Sequence, residues 1–262
     1  MRWNELTSDE LAQLPKDATV ILFPIGSIEV HGNHLPLGTD SMVIQRIAES
    51  AAEREPPALV LPTLDYAYVN ENAHFPGIVT LSAKTLISIV EEICDEVGRN
   101  GFKKIILLNG HGGNNQILRA IQRGLLRRKR DYITYMYVEP WGPIQKEIQE
   151  LAKGAAIDHA CEIETSTALY LIGDLVKMDK VTHEASLGST DVPSTVKTQV
   201  SFQSYCLEGY IGDPRRATKD KGRILVEKWV DDVAKLIRIA REDKKSPAVL
   251  KDYYRRAYRW LE

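Results

Sequence analysis

Cysteine is scarce in this chain: Cys94, Cys161 and Cys206 are the only three among 262 residues. An odd, widely spaced set excludes a disulfide framework and reads as reduced thiols in a cytosolic protein. No apolar run approaches the roughly 18 residues that span a bilayer, which argues against a membrane protein. The N-terminus, Met1-Arg-Trp-Asn-Glu-Leu6, lacks a basic stretch followed by an apolar one, so no signal peptide is expected and the location reads as cytoplasmic. Neither sign of charge is in excess. The 34 basic and 36 acidic residues leave a net charge of −2, which argues against a dedicated nucleic-acid binder. Repeats, low-complexity stretches and long Gly/Ser linkers are also missing, so residues 1–262 read as one domain.

What is present is an alternation. Thr19–Ile25, Ala58–Leu61, Lys103–Leu108 and Tyr132–Val138 are short, apolar, β-prone runs. Between them lie helical patterns. One is capped by Asp40 or Ser41 and carries Val43, Ile47 and Ala51. A second opens at Ser82 and stops at Gly101, and a third opens at Asn114. Strand–helix alternation predicts βαβ units, hence an α/β fold with a mainly parallel sheet and helices on both faces. The second half is more helical, with helices expected from near His159 to Ile172 and from about Lys219 to Arg241. An irregular stretch, Lys180–Asp213, separates them and has the character of a lid or oligomer contact. After Pro247, Leu250, Tyr254, Ala257 and Leu261 form one stripe of an amphipathic helix expected to dock on its own domain or a neighbouring subunit.

Ligands of open α/β sheets sit at the carboxyl ends of the strands, and two residue clusters fall there. The first runs from Pro24 to Asp40. Glu29 and His31 are two apart, which in extended chain puts both side chains on one side. Asp40 returns after a Gly/Pro-rich loop. The second is Asn109-Gly-His-Gly-Gly-Asn114, where glycines flank His111 and let another group come close. A carboxylate–imidazole set of Glu29, His31, Asp40 and His111 has the composition of a metal site; read singly, each residue is equally a hydrogen-bonding one. Phosphate binding fits the glycine turn poorly, since the dinucleotide fingerprint lacks its last glycine and no Gly-Lys-Ser/Thr follows.

A third cluster is His159-Ala-Cys-Glu-Ile-Glu-Thr-Ser166. If a helix opens here, His159 and Glu162 share a face and Glu164 points elsewhere, which favours Glu162 as the residue joining the site. The alternative is that both acids simply favour a helix N-terminus. A Cys161–His159 nucleophile is disfavoured, because side chains two apart on a helix diverge.

Taken together, these clusters resemble the creatininase family of metal-dependent amidohydrolases. The resemblance rests on Gly26-Ser27-x-Glu29-x-His31-Gly32-x-His34-Leu35-Pro36-Leu37-Gly38-Thr39-Asp40, on Asn109–Asn114, on His159-Ala-x-Glu162-x-Glu164-Thr-Ser166, and on His74-Phe-Pro-Gly77 followed by Thr80-Leu81. It implies a three-layer α/β/α sandwich, two divalent ions (Zn, Mn or Fe), hydrolysis of a C–N bond in a small-molecule amide, and a homohexamer. By the same resemblance, Glu29 and His111 match ligands of one metal, His31 a ligand of the other, and Asp40 the bridging carboxylate. His159 matches the proton-transfer histidine, with Glu164 beside it as an orienting residue. His74, Trp141 and Gly112 fall on the substrate side.

Creatininase proper differs at several places. It has an aromatic residue and a metal-binding glutamate where this chain has Gly112 and Gly113, and the missing carboxylate is assigned to Glu162. Its Trp-Asp pair is replaced by Ala155 and Ala156. The metal chemistry therefore looks kept and the creatinine pocket lost. Related members include deformylases of a formylaminopyrimidine nucleotide, a reading that needs a phosphate-binding group such as Lys197, Arg215 or Arg216. A non-catalytic, metal-binding member is the remaining alternative.

Overall fold

Four apolar runs build the centre of the molecule. In the computed structural model, which describes residues 1–259 apart from 140, 154, 186–187, 190, 194, 201 and 203–205, they are β1 (Val20–Ile25), β2 (Ala58–Val60), β3 (Lys104–Asn109) and β4 (Ile133–Tyr137). All pair in parallel, in the order β2-β1-β3-β4. β1 is buried on both faces, which is why it reads as an unbroken apolar run and not as an alternating one.

Successive side chains of a strand serve opposite faces. Val20 and Leu22 of β1, with Ile106 and Leu108 of β3, pack beneath α2 (Thr39–Arg54) and α7 (Lys219–Glu242), against Val43, Ile47, Trp229 and Val233. Ile21 and Phe23, with Ile105 and Leu107, face α3 (Ala83–Arg99) and α4 (Asn115–Gly124), against Leu86, Val90, Leu118 and Ile121. The result is the expected α/β/α layering. Each large side chain so buried contributes about 1.5–3 kcal/mol. α1 (Ser8–Gln13) begins in a capping box between Thr7 and Glu10.

Helix starts follow local chemistry. Ser82 accepts from Thr85 N to open α3, and Thr218 accepts from Lys221 N to open α7. α5 (Gln145–Ala152) was not anticipated; it buries only Ile148 and Ala152, too faint a stripe to read. α6 (Glu162–Ile172) lies against α7 so closely that a β-carbon on Gly222 would stand 1.8 Å from the Ser166 carbonyl oxygen. α8 (Lys245–Ala257) docks on its own chain, where Tyr254 Oη donates to Leu125 O and Tyr258 Oη to Leu126 O. Leu261 of the expected stripe lies outside the described residues. Among the described residues, no helix is long and apolar enough to cross a membrane.

The chain order makes a switch point. From β1 it passes to β2 on one side, then to β3 on the other. Ile25 and Asn109, the last residues of β1 and β3, are in register, and Gly110 N donates to Ile25 O at 2.8 Å. The loops after β1 and β3 therefore leave the sheet side by side, at the crevice where ligands of this architecture bind.

Candidate metal centre

Asp40 or Ser41 is the cap expected for α2. The cap position is instead Gly38, which has no side chain to offer, and Asp40 lies in the first turn, where a carboxylate is favoured by the helix N-terminus. That leaves both oxygens free to face the sheet edge. Oδ1 lies 3.1 Å from Nε2 of His31 and Oδ2 lies 2.9 Å from Nδ1 of His111. Ser27 Oγ donates to Oδ2 at 2.8 Å.

Glu29 stands among three imidazoles. Its Oε1 is 2.8 Å from His111 Nδ1 and 4.0 Å from both His31 Nε2 and His159 Nδ1. Oε2 accepts from Asn72 Nδ2 at 2.6 Å. His111 is set by Asn109, whose Oδ1 accepts from His111 N and whose Nδ2 donates to His111 O. A β-carbon on Gly113 would lie 2.4 Å from His111 Nε2, so a larger residue there would displace the His111 ring, whereas Gly112 faces open space. His159 donates from Nε2 to Val30 O at 2.6 Å, and its ring centre is 4.5 Å from that of His31.

Glu162 is not part of this cluster, contrary to the expectation from spacing. The helix starts at Glu162 and not near His159. Between them Ala160 is left-handed (φ 49°) and Cys161 extended, so the helical spacing argument does not reach back to His159. Glu164 turns to the site instead. Its Oε2 accepts from Ala160 N at 2.5 Å and lies 3.9 Å from His31 Nε2. Glu162 points to Lys221 and Arg216.

The remaining candidates lie apart. His74 is exposed with its ring near Phe75, and Trp141 packs on Trp229. Neither makes a hydrogen bond or ion pair to the cluster among the described residues. Arg215 is engaged by both oxygens of Asp213, and Arg216 by Glu162 and Ala152 O. Burial pushes the Cys161 thiol up to about 12, which makes it inert as a nucleophile.

Buried charge dominates the electrostatics. Burial opposes a charged His31, but Asp40 and Glu29 outweigh it and lift the ring to about 10. His111 is likewise raised well above its usual range, against burial, by Glu29 and Asp40. Burial works against charge on Asp40 too, yet the two imidazoles hold it well below the carboxylate range. Glu164 goes the other way, to about 7, through burial and the charge of Asp40. Burial also lowers His159. Three carboxylates converge in a dry site and call for positive charge.

That demand fits divalent ions. Donor atoms of Glu29, Asp40 and His111 all lie within 4.8 Å of one another, and so do those of Glu29, His31 and His159. Among the described residues, His111 Nε2 is buried without a hydrogen-bond partner. Glu29 Oε1 is also buried, with His111 Nδ1 at 2.8 Å as its near neighbour. Mixed nitrogen and oxygen donors are the chemistry of zinc, manganese or iron sites.

Reading the sequence alone missed Ser27, Asn72 and Lys221. Ser27 sits inside the first motif and Asn72 two residues before His74, so proximity to a motif was their only signal. Lys221 had none beyond the need of a buried acid for a partner.

A model of the creatinine amidohydrolase (creatininase) family matches residues 4–237. The chain is 30% identical over 250 residues to the creatinine amidohydrolase of Pseudomonas putida, covering 89% of this chain and 95% of that one. It is 31% identical over 250 residues to the mycofactocin precursor peptide peptidase of Mycobacterium ulcerans, covering 90% and 91%. A solved zinc–zinc form of a mutant creatininase superimposes with a TM-score of 0.81 at 26% identity, covering 92% and 98%.

Proposed function

Since the chain belongs to the creatininase family of amidohydrolases, we propose that it is a metal-dependent hydrolase of a C–N bond in a cyclic amide or formamide, creatinine itself excepted. Glu29, His31, Asp40 and His111 would hold two divalent ions (Zn, Mn or Fe), with Glu164 in the place first assigned to Glu162. Such ions, when bound, supply a water acidic enough to ionise near neutral pH and a polarising charge for a carbonyl oxygen. The observation that carries this reading is the split of the Asp40 carboxylate between His31 and His111, with Glu29 in reach of both donor groups.

The chain's own residues then divide the work. Ser27 and Asn72 fix the carboxylates of Asp40 and Glu29 by hydrogen bonds. His159, tied at Nε2 to the Val30 carbonyl, turns Nδ1 toward Glu29. A ring kept neutral by burial could accept at Nδ1 the proton that the attacking water gives up and return it to the leaving nitrogen. Glu164 keeps the Ala160 turn in place and so orients His159. His74, Trp141 and Gly112 would face substrate; the open space at Gly112, where creatininase proper has an aromatic side chain, supports a differently shaped pocket.

A phosphorylated formylaminopyrimidine is a weaker fit, because two of its three candidate phosphate groups, Arg215 and Arg216, are already committed to Asp213 and Glu162, which leaves Lys197. The reading carries with it a homohexamer in the cytoplasm. The deciding experiment is metal analysis of the purified protein followed by assays on creatinine, simple formamides, cyclic ureides and formylated nucleotides. About two ions per chain and turnover of an amide other than creatinine are expected. Full activity in a metal-stripped sample would overturn the proposal, and bound metal without turnover of any amide would make the chain a non-catalytic member.

A further inference from the structure

Glu162 is a buried acid with no place in the cluster. Its side chain is 2% exposed, one carboxylate oxygen is held by Lys221 Nζ, and the other lies 3.3 Å from Arg216 Nε. Glu162 opens α6, Lys221 lies in the first turn of α7, and Arg216 ends the short turn Pro214–Arg216 just before α7. Lys221 Nζ also donates to Arg216 O at 3.0 Å, and Arg216 Nη2 donates to Ala152 O, at the end of α5, at 3.0 Å. Beside them Ser166 Oγ donates to Glu162 O at 2.6 Å and accepts from Thr218 N at 3.2 Å. The starts of α6 and α7 thus meet on one carboxylate, and the end of α5 is joined to them through Arg216.

Stability alone is a poor account of such a group. Desolvation offsets most of the attraction within a buried ion pair, and apolar replacements are often as stable. What the pair does supply is location. Two residues after Glu162, Glu164 leaves the same helical turn for His31 and the Ala160 amide. Three residues before it, His159 leaves for Val30 and Glu29. The link between them, Ala160, is left-handed without being glycine, a conformation that a β-carbon disfavours and that its surroundings must impose.

We propose that Glu162, Lys221 and Arg216 form a positioning cluster that pins the first turn of α6, so that Glu164 and His159 reach the metal centre together. This rests on the reading of that centre given above. It also predicts coupling between two otherwise separate regions: a change at Lys221, on α7, is felt at the Ala160 amide.

Three variants of the full chain test it: Lys221→Met, the charge-free pair Glu162→Gln/Lys221→Met, and the conservative Lys221→Arg. Hydrogen–deuterium exchange is followed without metal over peptides covering residues 156–165. About tenfold faster exchange of the Ala160 turn is expected in the first two variants, with the rest of α6 and α7 unchanged and Lys221→Arg close to the parent. Cobalt(II), titrated against a competing chelator and followed by its visible spectrum, should bind about 10–100-fold more weakly to the first two and recover in Lys221→Arg. Unchanged exchange in both charge-removing variants overturns the proposal. So does faster exchange spread evenly over α6 and α7, which is the mark of an ordinary stabilising pair. A parent protein that takes up no cobalt sinks the metal reading, while exchange still decides whether the turn is pinned.

Discussion

Asp40 offers one carboxylate oxygen to His31 and the other to His111, at 3.1 and 2.9 Å. A single side chain thus spans the two imidazoles, one from the loop after β1 and one from the loop after β3. Replacing it with alanine should therefore cost both ions. His111→Ala should cost one and leave the group around His31. Metal analysis of the two variants by mass spectrometry checks this; equal losses would show that Asp40 does not bridge.

Asn72 supports Glu29 by donating to its Oε2. Asn72→Ala should leave the fold intact and weaken metal affinity about 10–100-fold, the usual effect of removing a hydrogen bond behind a ligand. Chelator competition measures it, and unchanged affinity would reduce Asn72 to a packing role.

Metal uptake should release protons. His31 is raised from 6.5 to about 10 in the metal-free protein, so it carries a proton through neutral pH that a metal must displace. Affinity should rise with pH up to about 10. The sign for stability is opposite. In metal-free protein the contribution of His31 is complete below 6.5 and is lost as pH climbs toward about 10. Calorimetric titration at pH 8 in buffers of different ionisation enthalpy tests the release, and heats that do not depend on buffer would refute it.

Gly222→Ala should be severe. The new methyl would stand 1.8 Å from the Ser166 carbonyl oxygen, backbone that cannot swing aside. A loss of about 3 kcal/mol or failure to fold is expected, at the upper end for overpacking. A melting temperature within a few degrees of the parent would show that α6 and α7 can slide apart.

Much of this was legible in the sequence, and the reason is local. The strands are short unbroken apolar runs, so each was found to within about two residues of its true limits. Glu29, His31 and His111 follow strand ends directly, and the parallel order brings those ends together. What could not be read depended on where a helix starts. His159, Glu162 and Glu164 are within six residues of one another, and a left-handed Ala160 decides which acid turns inward. No spacing rule carries that information. Asp40 shows the same limit in milder form: its place in the ligand set follows from the motif, but the helix is capped at Gly38, two residues before it, so neither Asp40 nor Ser41 is the cap.

The loops that carry the candidate ligands Glu29, His31 and His111 hang from the two inner strands, β1 and β3. His74 and Trp141, by contrast, belong to stretches that follow the outer strands, β2 and β4. If His74 and Trp141 face substrate as proposed, chemistry and selectivity are mounted on different parts of one frame. A lineage built this way can exchange the rim that greets a new molecule and leave the reactive heart untouched, and a protein engineer seeking another substrate should begin at the margins of the sheet.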